Sequence, residues 1–494
     1  MLVQLSPHPS KNIRALTSIY SERLLTPAGT SGFRITTKIH PFWNLYLNGL
    51  AVGIAENLEP DRSERAHSYR FNDDEKLFFK KEASWRSYKE ATIADVNLQI
   101  DGSVVVQTDI SNFYEHIYHH RIENLLADIF GQDSTVAVQI NGILNKLSSG
   151  RSFGLPVGGQ CARVLAEVIA TSIDRQITED GLIWHRYVDD YTLIAESQAE
   201  AYKALSTLSH KLADYGLSLN KSKTIILNGL HYENYVKTQL DSSSDDASRL
   251  REIDLHFDPY SGTAETDYEE LVEAVDHLDI EKLLGTELNK SQPDAFNVTQ
   301  IGRTLKLHEP LKALKLCETL LEASNLNSFR ASWSSIMRGI AAVRADETKK
   351  EIFADLDTLI DKILEHSEHL LLPETNCLYF LKIIRFKQTE ARARFVNMKV
   401  FVKNSVTLNR ACIDCWMEWE NRGKFNEVRN NWETLHVEVK RMLWLASKKF
   451  GDEGRHFRQG SKMPFKESLK LGIENTEGAE EASFGGLFME WVNK

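Results

Sequence analysis

Residues 181–197 read GLIWHRYVDDYTLIAES, with Asp189 and Asp190 side by side between two runs of strand-forming residues. Adjacent carboxylates repel, so a fold that keeps both needs a cation for them to share. The flanking runs, GLIWHRYV and YTLIAES, read as two strands joined by a tight turn at the acidic pair. Asp also favours turns for local backbone reasons, so the pair alone reads equally well as a hairpin cap. The surrounding sequence decides between the two.

Upstream, GSVVVQTDI (102–110) predicts a buried strand that delivers Asp109 at its C-terminal end, followed by SNFYEHI. GLPVGGQ (154–160) places glycines at the start of a helix, QCARVLAEVIATSIDRQI. Downstream, AEAYKALSTLSHKLADYG (199–216) carries Tyr202, Leu205, Leu208, Leu212 and Tyr215 at helical spacing, with Gly216 as the stop. GLSLNKSKT then leads into a last strand, KTIILNG. This order suits phosphoryl chemistry. Joining nucleotides requires a hydroxyl to attack an α-phosphate. Two divalent ions about 3.5–4 Å apart activate the nucleophile and neutralise the leaving pyrophosphate. Such ions take oxygen ligands, which carboxylates on rigid strands supply. Asp109 and Asp189 are expected to converge on two Mg²⁺ ions, with Asp190 as a further ligand or an orienting group. Without the ions, the pKa of one of these aspartates should rise.

The bulk composition narrows the class. At 494 residues the chain exceeds one ordinary core, so two or three domains are expected. With 42% hydrophobic and 26% charged residues it is an ordinary globular protein. A net charge of −11 argues against a long groove for duplex nucleic acid. No apolar run spans a bilayer, and the first twenty residues lack a secretory leader's layout, so no membrane association and a cytoplasmic location are expected. Five scattered cysteines make no disulfide framework, and Cys412 and Cys415, in the helical RACIDCWMEWE, read as buried thiols.

The chain divides into three stretches. Residues 1–238 mix strands and helices. Residues 239–268, including DSSSDDASRLREIDLHFDPYSGTAETD, read as a linker or exposed loop. Residues 269–494 read as an all-α array. In EIFADLDTLIDKILEHSEHLL, residues Ile352, Leu356, Leu359, Ile360 and Ile363 share one stripe, and PLKALKLCETLLEA and EVRNNWETLHVEVKRMLWLA behave alike. Basic residues crowd the end: Lys440, Arg441, Lys448, Lys449, Arg455, Arg458, Lys462, Lys466 and Lys470. They make either a solvated helix face or a phosphate-binding surface.

The series QTDISNFYEHI, GLPVGGQCARVLAEV, RYVDDYTLI and GLSLNKSKT resembles the palm of reverse transcriptases, above all the prokaryotic abortive-infection (AbiK-like) phage-defence group. AHSYRFNDDEKLFFKKEASWRSY (66–88) is similar to that group's fingers, and the helical remainder, with WLASKKFGDEGRHFRQ, to its helical domain. The resemblance implies an α+β fold: reverse-transcriptase-like fingers and palm, then an all-α, HEAT-like repeat domain. It implies a two-metal nucleotidyltransferase with Asp109, Asp189 and Asp190 as catalytic ligands and the Ile110 carbonyl as a further one. Tyr114 would lie under the sugar and exclude a 2′-hydroxyl, with Phe113 in the core. Tyr187 would meet the growing end, and Gly158 and Gly159 would admit the nucleotide. Arg70 and Lys223 would bind the triphosphate, with Lys80 and Lys81 as lesser candidates. Arg163 and Glu167, one turn apart, read as an intrahelical pair.

The resemblance further implies template-independent synthesis from dNTPs, primed by a tyrosine of the protein, with single-stranded DNA left covalently attached to a homo-oligomer. Tyr20, Tyr46, Tyr69, Tyr114 and Tyr118 are the candidates for priming. The chain departs from the usual Gln–Gly–Ser at Val157, Gly158 and Gly159, which weakens ordinary templated copying. The alternatives are a retron-like RNA-templated enzyme, a catalytically silent phage-sensing scaffold and an RNA polymerase with a similar palm.

Overall fold

The acidic pair sits where the alternation of its flanks predicts, at the turn between two antiparallel strands. The computed structural model describes residues 19–29, 32–72, 78–132, 134–240, 246–253 and 264–460. The chain forms two compact units. One takes residues up to 21 and Thr36–Ser242, the other Glu22–Ile35 and everything from Ser243.

Strand β1 (Ser21–Ala28) pairs with β2 (Gly32–Ile39); β1 from Glu22 and β2 up to Ile35 belong to the second unit, and β2 from Thr36 belongs to the first. Then come α1 (Pro41–Leu58), α2 (Trp85–Ala94), β3 (Val104–Asp109), α3 (Phe113–His116), α4 (His119–Phe130) and α5 (Thr135–Leu147). The unit closes with α6 (Gln160–Glu179), β4 (Ile183–Tyr187), β5 (Asp190–Ala195), α7 (Gln198–Asp214), β6 (Ile225–Asn228) and α8 (Gly229–Leu240). The four inner strands make one antiparallel sheet in the order β4-β5-β3-β6. Its β-branched runs bury both faces. Val104, Val106, Tyr191 and Leu193 join the larger core with α6 and α7, while Val105 and Ile194 join a smaller one with Tyr232 and Val236 of α8. Side chains alternate along a strand, so Asp109 and Asp190 stand on the second face, that of α8.

Helix α7 stops as expected. Gly216 adopts φ +74°, and a β-carbon there would come within 2.6 Å of the Tyr118 ring. Its stripe is shifted, however. Tyr202 is 70% exposed, and Ala201 takes the buried position with Leu208 and Leu212.

The second unit is helical, and 22–35 pack within it: the Leu25 N–H donates to Glu374 at 2.9 Å and the Thr407 N–H to Glu22 at 2.8 Å. Part of the expected linker is in fact α9 (Asp246–Glu252), because Leu250 is buried in this unit's core. Residues 241–245 and 254–263 lie outside the described residues. Helices α10 (Ala264–Asp276), α11 (Ile280–Leu288), α12 (Ala295–Thr304), α13 (Pro310–Leu321), α14 (Ala323–Ser328), α15 (Trp333–Ala345), α16 (Phe353–His366) and α17 (Glu374–Ile384) come next. The last are α18 (Glu390–Arg394), α19 (Val406–Glu418), α20 (Arg422–Asn430), α21 (Val437–Ala446) and α22 (Gly451–Gly460). The stacking runs α12 on α15, α15 on α17, α17 on α19 and α19 on α21. The expected helix through 427–446 breaks in two, because a 3₁₀ turn at Trp432–Thr434 carries the Trp432 ring inward.

Cys412 and Cys415 are buried thiols, pushed well up by that burial, and Cys415 Sγ donates to the Leu381 carbonyl at 3.5 Å. Near the end of the described chain the basic residues pair locally: Arg441 with Glu438 at 2.6 Å, Arg455 with Asp452 at 2.8 Å and Arg458 with Ser447 at 2.9 Å. Lys462, Lys466 and Lys470 lie outside the described residues. Among the described residues, no helix is long and apolar enough to cross a membrane.

Candidate active site

Strand register brings the aspartates together. Asp109 lies directly opposite Asp190, which is also opposite Tyr187. The Ile110 N–H donates to the Asp189 carbonyl at 3.0 Å, and the Asn220 N–H donates to the Asp109 carbonyl at 2.8 Å. Three distant segments are therefore tied at one point. The Asp109 carboxylate is 5% exposed. Its Oδ2 accepts from Lys223 Nζ at 2.7 Å, while its Oδ1 is buried without a hydrogen-bond partner.

Burial, then the charges of Asp189 and Asp109, push Asp190 up to about 6. Burial chiefly raises Asp189 too, with Asp109 adding to it. The expected elevation thus falls on both members of the pair. Among the described residues, no three or more His, Cys, Asp or Glu side chains already close around an ion position. Lys223 is the cation on Asp109 in this structure. An orphaned buried carboxylate oxygen beside two carboxylates raised by burial and then by neighbouring carboxylates is the donor set a hard divalent cation takes.

The turn that carries Asp189 is strained, since Val188 has φ +59°, a conformation β-branched residues avoid. A buried ion cluster holds it from both sides. The Val188 N–H donates to Ser68 Oγ at 2.9 Å, and Arg186 Nη1 donates to the Val188 carbonyl at 2.9 Å. Arg186, fully buried, also grips Asp174 (Nη2–Oδ2 2.7 Å) and Glu167 (Nη2–Oε2 2.9 Å). Arg62 reaches Glu167 at 2.6 Å and the carbonyls of Ser68 (2.6 Å) and Tyr69 (2.9 Å), and Ser68 Oγ donates to Glu167 at 2.9 Å. Burial alone would raise the Glu167 carboxyl, but Arg186 and Arg62 bring it below the usual range. The expected Arg163–Glu167 pair does not form. Glu167 faces these deeper partners, while Arg163 bonds Gln160 at 3.1 Å and lies over the Tyr69 ring.

The same cluster reaches the sugar-sensing candidate. Tyr69, at φ +49°, has its carbonyl held by Arg62, and Tyr114, which packs on the core, has its pKa raised chiefly by burial. Phe113 is in the core as expected. Gly158 adopts φ +128°, and Gly159 caps the start of α6 beside Asn44. The Tyr187 ring stacks on Tyr88, with centroids 6.0 Å apart. Arg70 stands apart: its guanidinium is held by Glu59 at 3.1 Å and the Ser63 carbonyl at 2.5 Å, so it is not free to grip a phosphate. Lys80 and Lys81 are exposed. Of the tyrosines weighed for priming, Tyr46 is 5% exposed and Tyr118 is 45% exposed.

Arg186, Ser68 and Arg62 escaped the reading of the sequence. One signal was present. Arg186 shares a strand face with Trp184, a core position, and a charge at a core position demands buried partners.

A sheet carrying aspartates at a strand end and a hairpin turn, backed by helices, defines the palm class of nucleotide polymerases. Residues 50–250 match the protein family described as "Reverse transcriptase (RNA-dependent DNA polymerase)", so this stretch is a reverse transcriptase domain. A curated relative, the retron Ec86 reverse transcriptase of Escherichia coli, is 27% identical over 133 residues, 26% of this chain. The alignment spans only 39% of that relative's length. Among solved structures, apo telomerase from Candida tropicalis overlays with a TM-score of 0.33 at 12% identity, covering 72% of this chain and 74% of that one. Telomerase from Candida albicans, in complex with a telomeric RNA fragment, overlays at 0.31 and 12% identity, covering 71% and 68%. Overlays this loose carry no argument about function.

Proposed function

We propose that this chain is a nucleotidyltransferase that joins deoxynucleoside triphosphates into DNA, of the abortive-infection kind. The observation that carries the reading is the pairing of Asp109 with Asp190 and the tie from Ile110 to Asp189. Asp109, Asp189 and Asp190, with the Ile110 carbonyl, are the groups that would hold two Mg²⁺ ions. When bound, the ions supply activation of the attacking hydroxyl and charge neutralisation at the leaving pyrophosphate. Tyr114 sets the sugar preference, Gly158 and Gly159 admit the nucleotide, and Tyr187 meets the growing end. Lys223, already within reach of the carboxylates, serves the triphosphate. Arg70 joins it only by leaving Glu59.

In this reading synthesis is template-independent and starts on a tyrosine of the protein. The single-stranded DNA stays attached, the helical unit is a HEAT-like repeat that guides it, and the chain acts as a cytoplasmic homo-oligomer in prokaryotic antiviral defence. The motif resemblance, Val157 in place of Gln and the acidic balance support it. The partial likeness to a retron enzyme favours a second reading, RNA-templated copying.

One experiment separates them: purified chain, Mg²⁺ and labelled dNTPs, without template or primer. Label that migrates with the denatured protein and is released by DNase is the expected result. Incorporation only with added RNA moves the assignment to the retron-like reading. Asp189→Asn should lower either activity at least roughly 1,000-fold, since electrostatic stabilisation at the reacting centre is the largest catalytic contribution. Full activity in that variant would remove the polymerase reading altogether.

A further inference from the structure

A pocket of about 240 Å³ opens on the carboxylate face of the sheet, and the polymerase roles leave its far wall unused. Asp109, Asp190 and Lys223 form one side, while Trp85 and Lys89 of α2 and Tyr235 of α8 form the other. This volume lies just under the roughly 300–1,000 Å³ of ordinary ligand sites, a size for one small unit rather than a length of strand.

The Lys89 side chain is the unusual member. The residue is 5% exposed, yet among the described residues its ammonium makes no hydrogen bond or ion pair. It meets only ring faces: Tyr88 at 4.9 Å, Trp85 at 5.6 Å and Tyr232 at 5.6 Å from the centroids. Burial lowers it to about 8, and the charge of Asp190 opposes that fall. With no acceptor from the protein, the ammonium of this largely buried side chain depends on what occupies the pocket it lines. Lys223 pairs with Asp109 and is assigned to the triphosphate, so a second anionic unit in this pocket would find its donors on Lys89. Beside it the pocket offers two aromatic side chains that the fold leaves open, Trp85 at 38% exposure and Tyr235 at 50%. Open aromatic faces next to a cation are the elements that bind a base and its phosphate.

We propose that this pocket binds one nucleotide unit, its base against Trp85 and Tyr235 and its phosphate on the Lys89 ammonium. Adjoining Asp109 and Asp190, the unit is the terminal nucleotide of the strand being extended. That last step rests on the polymerase reading, whereas the binding itself does not.

The test uses the full chain with metal chelated, so that no catalysis is needed. Binding of dAMP, deoxyadenosine and the 5′-phosphorylated dinucleotide pdApdA is measured by calorimetry. Wild type should prefer dAMP to deoxyadenosine by roughly tenfold, as expected for one charge-assisted contact. Lys89→Met should abolish that preference, and Lys89→Arg should keep most of it. Tyr235→Ala should weaken dAMP and deoxyadenosine alike. Tighter binding of pdApdA than of dAMP supports a strand end, and equal binding supports a free mononucleotide in the same pocket. If wild type shows no phosphate preference, or folded Lys89→Met keeps it, the proposal fails even in a chain that polymerises. If the preference depends on Lys89 in a chain that never polymerises, the pocket stands and the polymerase reading falls.

Discussion

Two arginines, one in each unit, are completely buried and share the same chemistry. Arg186 binds Glu167 and Asp174, and Arg392 binds Asp357 at 3.0 Å and Asp361 at 2.6 Å. Each also donates to backbone carbonyls, and here they part. Arg392 reaches the carbonyls of Asp357 (3.0 Å), within α16, and Lys387 (3.1 Å). It ties one helix to the chain beyond α17. Arg186 reaches Val188, which is held at positive φ beside the aspartates. A buried ion cluster therefore says little about function by itself, because such pairs often add nothing to stability over an apolar core. What it says depends on the backbone it restrains. In the helical unit that backbone is relaxed, while in the sheet unit it is strained and carries a candidate metal ligand.

The largest expected effect is that of Arg186→Met. It strands Asp174 as a buried charge with no cation and leaves Glu167 to Arg62 alone, which costs about 3–5 kcal/mol. It also frees the Val188 carbonyl. Chemical denaturation should show the loss, and nucleotide incorporation per folded molecule should fall below detection. Arg392→Met should cost about 3 kcal/mol, the low end of that range, because Arg344 at 3.4 Å and Lys387 at 3.6 Å still flank Asp357. Incorporation per folded molecule should be unchanged. If the two variants lose activity equally, the contrast between the clusters is wrong.

Acid acts on the helical unit through His308. His308 is 1% exposed, and burial, then Lys312, lower it to about 4. Its Nδ1 has no hydrogen-bond partner. At pH 7 the ring is neutral in both folded and unfolded chains. Below 6.5 only the unfolded chain takes the proton, so stability drains away until about pH 4, where the folded ring protonates too. The full span is worth up to about 3 kcal/mol. Denaturation midpoints of the helical unit should drop across that window, and His308→Gln should flatten the drop.

The parts of the fold that obey short-range rules were legible. Alternation placed the strands at Asp109 and on either side of the acidic pair, and spacing with Gly216 ended α7. The failures came where a distant partner overrides a local rule. Arg163 and Glu167 satisfy the one-turn spacing of a helical pair, but Glu167 is claimed by Arg62, 105 residues away, and by Arg186. The polar run at 241–267 hid α9, because Leu250 finds its cover elsewhere in the helical unit. Lys89 was invisible because nothing in RSYKEAT announces that α2 lies on the carboxylate face of the sheet.

The smallest change is the sharpest test. Ser68 is 1% exposed and uses one hydroxyl twice, accepting from the Val188 N–H and donating to Glu167. Ser68→Ala leaves every charge of the cluster paired but strips the turn of one of its two backbone restraints. An unsatisfied buried N–H costs about 1–3 kcal/mol, less than a broken ion pair. Val188 then has reason to relax away from its strained conformation, and Asp189 moves with it. A ligand misplaced by a fraction of an ångström weakens the transition state more than it weakens nucleotide binding. The expected result is therefore a roughly tenfold fall in kcat with KM for dNTP within about twofold. Ser68→Thr, which keeps the hydroxyl, should restore the rate. A Ser68→Ala protein that melts early but turns over normally would show that the sheet cluster, like that of Arg392, serves the fold alone.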